Sequence, residues 1–104
     1  MYTNKTILIT GASSGLGKNI ALNYAKHGGR IINLSRNENK MKLLNDKLNN
    51  INDKINHYYS VDVSKYNEIK KISDNLKEKN LYPDIIINNA AGNFLCPFNK
   101  LTEN

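Results

Sequence analysis

The 104-residue chain is long enough for one domain or part of one, and it has no run near the ~20 apolar residues that span a bilayer. Its only cysteine, Cys96, excludes a disulfide framework within the chain, and we expect a reducing compartment and no metal site. The lysines behind the net charge of +6 are spread over predicted helix faces without interleaved aromatic residues, so a solvated surface is favoured over a nucleic-acid interface.

The first half of the chain alternates strand and helix patterns. An apolar run predicts a first strand over 5–10, and Gly28 and Gly29 end the helix that follows. A second strand covers 30–35. The first helix has an apolar stripe at helical spacing, formed by Leu16, Ile20, Ala21, Tyr24 and Ala25. The second helix has a similar stripe, formed by Met41, Leu44, Leu48 and Ile51.

The second half continues the alternation. A third strand covers 55–61, and Ser64 is the predicted N-cap of a third helix. Pro83 breaks the chain before a fourth strand over 84–88. Continuous aliphatic strands separated by helices predict an α/β fold with a doubly wound parallel sheet in the order 3-2-1-4. In that order the ends of strands one and four meet at one crevice, where ligands bind.

A glycine-rich turn, T-G-A-S-S-G-L-G at 10–17, lies between the first strand and the first helix. Glycine lets the backbone approach a ligand closely, and the N–H groups and dipole of a helix start favour an anion. The hydroxyl groups of two serines add further donors. We expect a nucleotide diphosphate to bind here, held by Gly11, Ser13, Ser14, Gly15, Leu16 and Gly17.

Two residues at the ends of later strands bear on the choice of cofactor. No acidic residue lies between Gly17 and Glu38, whereas Arg36 follows the second strand and suits a 2′-phosphate. We therefore expect NADP(H) rather than NAD(H), with an ordinary surface arginine as the alternative. Asp62, at the end of the third strand, either reaches the amino edge of adenine or begins a turn.

Three motifs together resemble the short-chain dehydrogenase/reductase family: the glycine-rich turn, Asp62–Val63, and N-N-A-A-G at 88–92. The resemblance implies a Rossmann-type fold and nicotinamide chemistry. It also implies that Asp62 and Val63 lie near adenine and that the cofactor is lined by Asn89, Ala90 and Ala91.

The family's catalytic tyrosine and lysine would lie well beyond residue 104. Tyr66 and Lys70 match the Y-x-x-x-K spacing, but they lie in the predicted third helix, on the wrong side of the topology for that pair. The resemblance therefore implies that residues 1–104 form a single NADP-binding Rossmann segment, the N-terminal half of an enzyme, and are inactive alone.

Residues 88–97 are similar to the corresponding segment of 2,4-dienoyl-CoA reductases, which use NADPH to reduce a conjugated dienoyl thioester. This similarity implies that Asn93 hydrogen-bonds the substrate in catalysis, that Phe94 contacts the acyl group and that Thr102 lies along the substrate path. Asn93 could instead cap a loop. Ser64 stands where some members have an arginine that contacts coenzyme A.

Two other functions stay open. One is a different short-chain reductase, acting on an enoyl-CoA or a ketone, and the other is a catalytically silent NADP-binding module. For the leading hypothesis we expect an acyl-CoA-type substrate and a homo-oligomeric full-length protein. No targeting segment is visible, so we expect the cytoplasm or an organellar lumen such as the peroxisome.

Overall fold

A computed structural model describes residues 5–12, 15–52 and 55–89. Four strands alternate with three helices: β1 (Thr6–Thr10), α1 (Gly15–Lys26), β2 (Arg30–Ser35), α2 (Glu38–Ile51), β3 (His57–Ser60), α3 (Tyr66–Glu78) and β4 (Ile85–Asn88). All strand pairs are parallel, and the order across the sheet is β3-β2-β1-β4. The predicted fold class and strand order are confirmed.

The interiors of the two central strands are mostly aliphatic because helices cover both faces of the sheet. On one face, Ile7, Ile9 and Ile31 pack against residues of α1 and α2, namely Ala21, Ala25, Leu44 and Leu48. On the other face, Leu8, Ile32 and Leu34 pack against Ile69, Ile72 and Leu76 of α3. The glycine turn and the ends of β2 and β4 are thus held on a buried three-layer frame.

Two predictions from apolar periodicity run too far at helix ends. Leu16, in the first turn of α1, is 68% exposed, and Ile51, the last residue of α2, is 36% exposed. Neither belongs to the buried stripe of its helix. The terminal turn of a helix has packing partners on fewer sides, so spacing alone does not decide burial there.

The prediction that Ser64 caps the third helix is wrong. The N-cap of α3 is Lys65, which makes no side-chain capping hydrogen bond. The Ser64 hydroxyl instead donates to Asp62 Oδ1 at 2.6 Å, and the Ser64 N–H donates to the same oxygen at 3.0 Å. The Asp62 carboxylate, two residues earlier, accepts both of these hydrogen bonds. The resulting local turn competes with capping of the helix by Ser64.

The third strand is also shorter than predicted. It begins at His57, and Ile55 is 69% exposed before it. Its pairing with β2 continues one residue past its end, because the Val61 N–H donates to the Ser35 carbonyl at 2.8 Å. The carboxyl end of β3 therefore stays in register with the end of β2.

Asparagine side chains complete several backbone hydrogen bonds that strands and helices leave open. Asn37 caps α2 by accepting from the Lys40 N–H at 3.0 Å. Asn52 Nδ2 donates to the carbonyl groups of Ala25 and Gly29, at 2.9 and 3.1 Å. The frequent asparagines thus have structural partners at the ends of these elements.

Stability should depend on the protonation of His57, which is half-buried in β3. Burial, together with the positive charges of Lys79 and Arg30, lowers the pKa of His57 below its ordinary value of 6.5. The unfolded chain then binds a proton more readily than the folded one. The contribution of His57 to the free energy of unfolding should therefore be fully present above pH 6.5, and it should be lost as the pH falls from 6.5 through the lower pKa of the folded state.

Urea unfolding on both sides of that value measures the effect. His57→Gln should remove this part of the pH dependence, whereas His27→Gln, in a different part of the chain, should retain it. A parent protein whose stability rises on acidification across the window would contradict the prediction.

Candidate nucleotide-binding site

The glycine turn lies at the carboxyl end of β1 and leads directly into α1. Gly11 has a φ of 73° and donates its N–H to the Leu34 carbonyl at 2.8 Å, which ties the turn to β2. Gly15, the first residue of α1, has a φ of 61°. The N–H groups of the first turn of a helix have no intrahelical partner, so this end of α1 can receive an anion.

The end of β4 is attached to the same turn. The Thr10 hydroxyl donates to Asn88 Oδ1 at 3.0 Å and accepts from the Asn89 N–H at 3.0 Å. The Asn89 side chain then donates through Nδ2 to the Gly11 carbonyl at 3.1 Å. The two segments that the strand order was predicted to bring together are therefore in contact.

Gly17 allows α1 to lie against this contact. A Cβ atom at Gly17 would be 2.5 Å from both Asn89 Nδ2 and the Gly11 carbonyl oxygen, and 3.0 Å from the Ala12 Cα. Two of these three neighbours are backbone atoms that cannot rotate away. At Gly15, in contrast, an added Cβ would meet nothing within 4 Å. Gly17 packs inward on the turn, whereas Gly15 borders open space at the helix start.

A cavity of about 370 Å³ lies beside the turn, at the carboxyl ends of β1, β2 and β3. Of the residues expected to contact the adenosine part of a cofactor, Arg36, Asp62 and Val63 all line it. The full lining is Gly11, Leu34, Ser35, Arg36, Asn37, Val61, Asp62, Val63 and Ser64. Its position and residues fit the adenosine end of a dinucleotide whose diphosphate lies at α1.

Asp62 is held as a carboxylate acceptor on the wall of this cavity. The hydroxyl and N–H of Ser64 donate to its Oδ1, and with smaller contributions from Arg36 and Lys65 they lower the pKa of Asp62 below its ordinary value of 3.8. Asp62 also begins a turn, which was one of the two alternatives predicted from the sequence, and its contact with adenine stays a prediction. Its ionised carboxylate is available to an amino group such as that of adenine.

The Arg36 guanidinium supplies positive charge to the same cavity. Its side chain is 80% exposed, and its Nη1 lies 4.0 Å from Asp62 Oδ2. A pair this long and this exposed is weak. Arg36 can therefore turn to a phosphate without breaking a strong internal interaction.

Several predicted site residues cannot be placed. Ser13, Ser14, Ala90, Ala91, Asn93, Phe94 and Thr102 lie outside the described residues. Across the described ranges, no group of three or more His, Cys, Asp or Glu side chains could hold a metal ion, and no helix is long and apolar enough to cross a membrane.

One residue that holds the turn was not predicted from the sequence. Asn33 lies in the middle of β2, is 2% exposed, and accepts a hydrogen bond from the Ala12 N–H at 3.2 Å. A polar residue inside an otherwise aliphatic, fully buried strand was the available signal, since such a side chain needs a hydrogen-bond partner.

The sequence profile of the family described as short chain dehydrogenase matches residues 5–104. The chain belongs to the short-chain dehydrogenase family. This confirms the family resemblance read from the glycine turn, Asp62–Val63 and the segment 88–92.

Curated relatives from this family carry varied names. The chain is 37% identical over 88 residues to an NADPH-dependent pterin aldehyde reductase from Arabidopsis thaliana, covering 84% of this chain and 35% of the relative. It is 34% identical over 104 residues to a peroxisomal 2,4-dienoyl-CoA reductase from Danio rerio, covering 100% and 35%. The likeness to dienoyl-CoA reductases is thus confirmed, and the chain spans about a third of the length of these relatives.

Solved short-chain dehydrogenases have the same fold. One from Escherichia coli CFT073, in complex with NADPH, superposes with a TM-score of 0.78 at 26% identity, covering 85% of this chain and 38% of that one. Another, from Shigella flexneri in complex with NADP, gives the same TM-score and identity, with 85% and 38% covered.

The close packing at Gly17 gives a direct test of the site. We expect the added methyl group of Gly17→Ala to displace α1 from the turn, because overpacking costs ~1–3 kcal/mol. NADPH binding should weaken about tenfold or more, since a loss of ~1.4 kcal/mol of binding free energy is a factor of ten in the dissociation constant. Isothermal titration calorimetry of the purified protein measures the dissociation constant.

Gly28→Ala is the matched control. Gly28 lies just past the other end of α1 and has a φ of 90°, so alanine there should lower stability while leaving NADPH affinity unchanged. Equal loss of affinity in both variants, or no loss at Gly17, would be inconsistent with the packing that we describe.

Proposed function

We propose that this chain is the NADP(H)-binding half of a short-chain oxidoreductase, and that the whole protein reduces 2,4-dienoyl-CoA to 3-enoyl-CoA in fatty-acid metabolism. The observation that carries the cofactor proposal is that the glycine turn, bonded to Asn89 at Gly11, lies beside a cavity lined by Arg36. Since the chain spans about a third of its relatives, the activity and the substrate are proposals for the whole protein.

The residues present fit NADP(H). The start of α1 offers N–H groups to the diphosphate, Asp62 offers a carboxylate to the adenine amino group, and Arg36 offers a guanidinium to the 2′-phosphate. NADPH is also named for the Arabidopsis relative, and NADPH or NADP is bound in the two solved neighbours. The cofactor predicted from the sequence agrees with these comparisons.

The substrate proposal depends on the segment after β4. Residues 88–97 are similar to the corresponding segment of dienoyl-CoA reductases. Relatives from Caenorhabditis elegans and Danio rerio are named as forming (3E)-enoyl-CoA, and one from Bacillus subtilis as forming (2E)-enoyl-CoA. When bound, NADPH supplies the hydride. Asn93 would donate a hydrogen bond to the thioester oxygen and so stabilise the negative charge that develops there during reduction. Phe94 and Thr102 contact the acyl substrate.

A reductase of another carbonyl compound is the second candidate. It is favoured by the pterin aldehyde reductase from Arabidopsis thaliana, which has a higher identity to this chain than the dienoyl-CoA reductases named above. The cofactor site would be the same for both functions. The difference would lie in the acyl contacts assigned to Phe94 and Thr102.

Arg36 should determine the choice between the two nicotinamide cofactors. We expect Arg36→Ala to weaken NADPH binding about 10- to 100-fold, since a charge-assisted hydrogen bond contributes ~1.5–3 kcal/mol, and to leave NADH binding nearly unchanged. Lys77→Ala, on the exposed surface of α3, removes the same charge as a control and should leave the affinity ratio intact. Equal affinities of the unmodified protein for NADPH and NADH would refute the assignment.

Dienoyl reduction is tested by turnover of the full-length protein. With 2,4-hexadienoyl-CoA we expect the absorbance of NADPH to fall, with the rate sharply reduced in Asn93→Ala. Consumption of NADPH with an aldehyde substrate but not with the dienoyl thioester would favour the second candidate. Binding of NADPH without turnover of either substrate would instead indicate the silent module.

A further inference from the structure

Asn33 is a polar residue in the most buried part of the sheet. It is 2% exposed, and its neighbours in β2, Ile31, Ile32 and Leu34, are fully buried. A carboxamide in such a position is costly unless its donor and acceptor are both paired. An aliphatic side chain would suit the interior of this strand better.

Only half of that carboxamide is paired within the part of the chain that the structure describes. Oδ1 accepts from the Ala12 N–H at 3.2 Å, whereas Nδ2 is buried without a hydrogen-bond partner there. The side chain therefore costs stability within the strand. In return, it fixes the position of the Ala12 peptide in the turn.

The Ala12 contact completes the attachment of the turn to both neighbouring strands. The Gly11 N–H is held by Leu34 of β2, and the Gly11 carbonyl is held by Asn89 after β4. Asn33 adds the next N–H along the chain, so the peptide groups at positions 11 and 12 are all tied to neighbouring strands. α1 begins at Gly15, and the N–H groups of a helix start have no intrahelical partner and can bind a ligand.

We infer that Asn33 is a positioning residue for the nucleotide: by holding the Ala12 peptide from β2, it sets the turn in the geometry that receives the diphosphate. The inference rests on the proposed NADP(H) function. A turn that is already ordered loses less conformational freedom on binding, so the contact should appear in cofactor affinity as well as in stability.

Asn56 supplies a matched control within the same strand pair. It is 5% exposed, and its Oδ1 accepts from the Ile31 N–H at 2.8 Å, near the opposite end of β2. Both side chains thus accept a buried backbone N–H beside β2, Asn33 from within the strand and Asn56 near its start, while Asn56 Nδ2 also donates to Asn49 Oδ1 at 2.9 Å. A purely structural role for Asn33 predicts similar consequences for both substitutions.

The experiment compares Asn33→Val and Asn56→Val with the parent by calorimetric titration with NADPH, below the melting temperature of each protein. Valine keeps most of the volume at position 33 and removes the unpaired donor, so this variant should fold. We expect its NADPH dissociation constant to rise about tenfold, with faster hydrogen exchange at the Ala12 amide. Asn56→Val should lower the melting temperature and leave the constant unchanged.

The possible results distinguish the positioning role of Asn33 from the proposed NADP(H)-binding function. Parent-like NADPH binding by folded Asn33→Val would overturn the positioning role alone, as would an equal loss of affinity in both variants. A parent protein that binds neither NADPH nor NADH would overturn the proposed function together with the inference that rests on it.

Discussion

The structure depends on the close approach of the first helix to the glycine turn. Gly17 lies against the Gly11 carbonyl and the Asn89 side chain, with no room for a Cβ atom. This contact requires β4 to lie beside β1, because Asn89 follows the end of β4. The sheet order and the nucleotide site are therefore one arrangement: the strand that completes the sheet also closes the turn.

The same arrangement separates the functions of the two ends of the strands. At the carboxyl ends, side chains hold the turn and line the cavity that contains Arg36 and Asp62. At the opposite end, Asn52 and Asn56 bind backbone groups near the start of β2 and join neighbouring elements. Polar residues are buried at both ends, but only those at the carboxyl ends lie beside the cavity where a ligand can bind.

Charge near the cavity is organised locally, and the net charge of the chain says little about it. Asp62 is neighbour to Arg36, yet Ser64 occupies one of its oxygens and the arginine lies 4.0 Å from the other. The cavity can therefore hold an acidic residue beside the arginine that we propose as the phosphate ligand. In the proposed complex, Asp62 would serve the amino group of the base and Arg36 the 2′-phosphate.

The sequence alone determined the fold class, the strand order and the convergence of the glycine turn with the segment after β4. These follow from the order of aliphatic runs and helical stripes, together with the geometry of parallel sheets, and need no knowledge of individual contacts. It also singled out Arg36 and Asp62 at the ends of strands, and the family motif added Val63; that all three line one cavity is a finding of the structure.

Only the tertiary structure decided which polar side chains act on the turn. The bond from Ala12 to Asn33 joins the turn to β2, across 21 positions of the chain. The exposure of Leu16 likewise depends on what surrounds the first turn of α1. Spacing along a chain fixes direction within one element, whereas these outcomes depend on distances between elements, which packing alone sets.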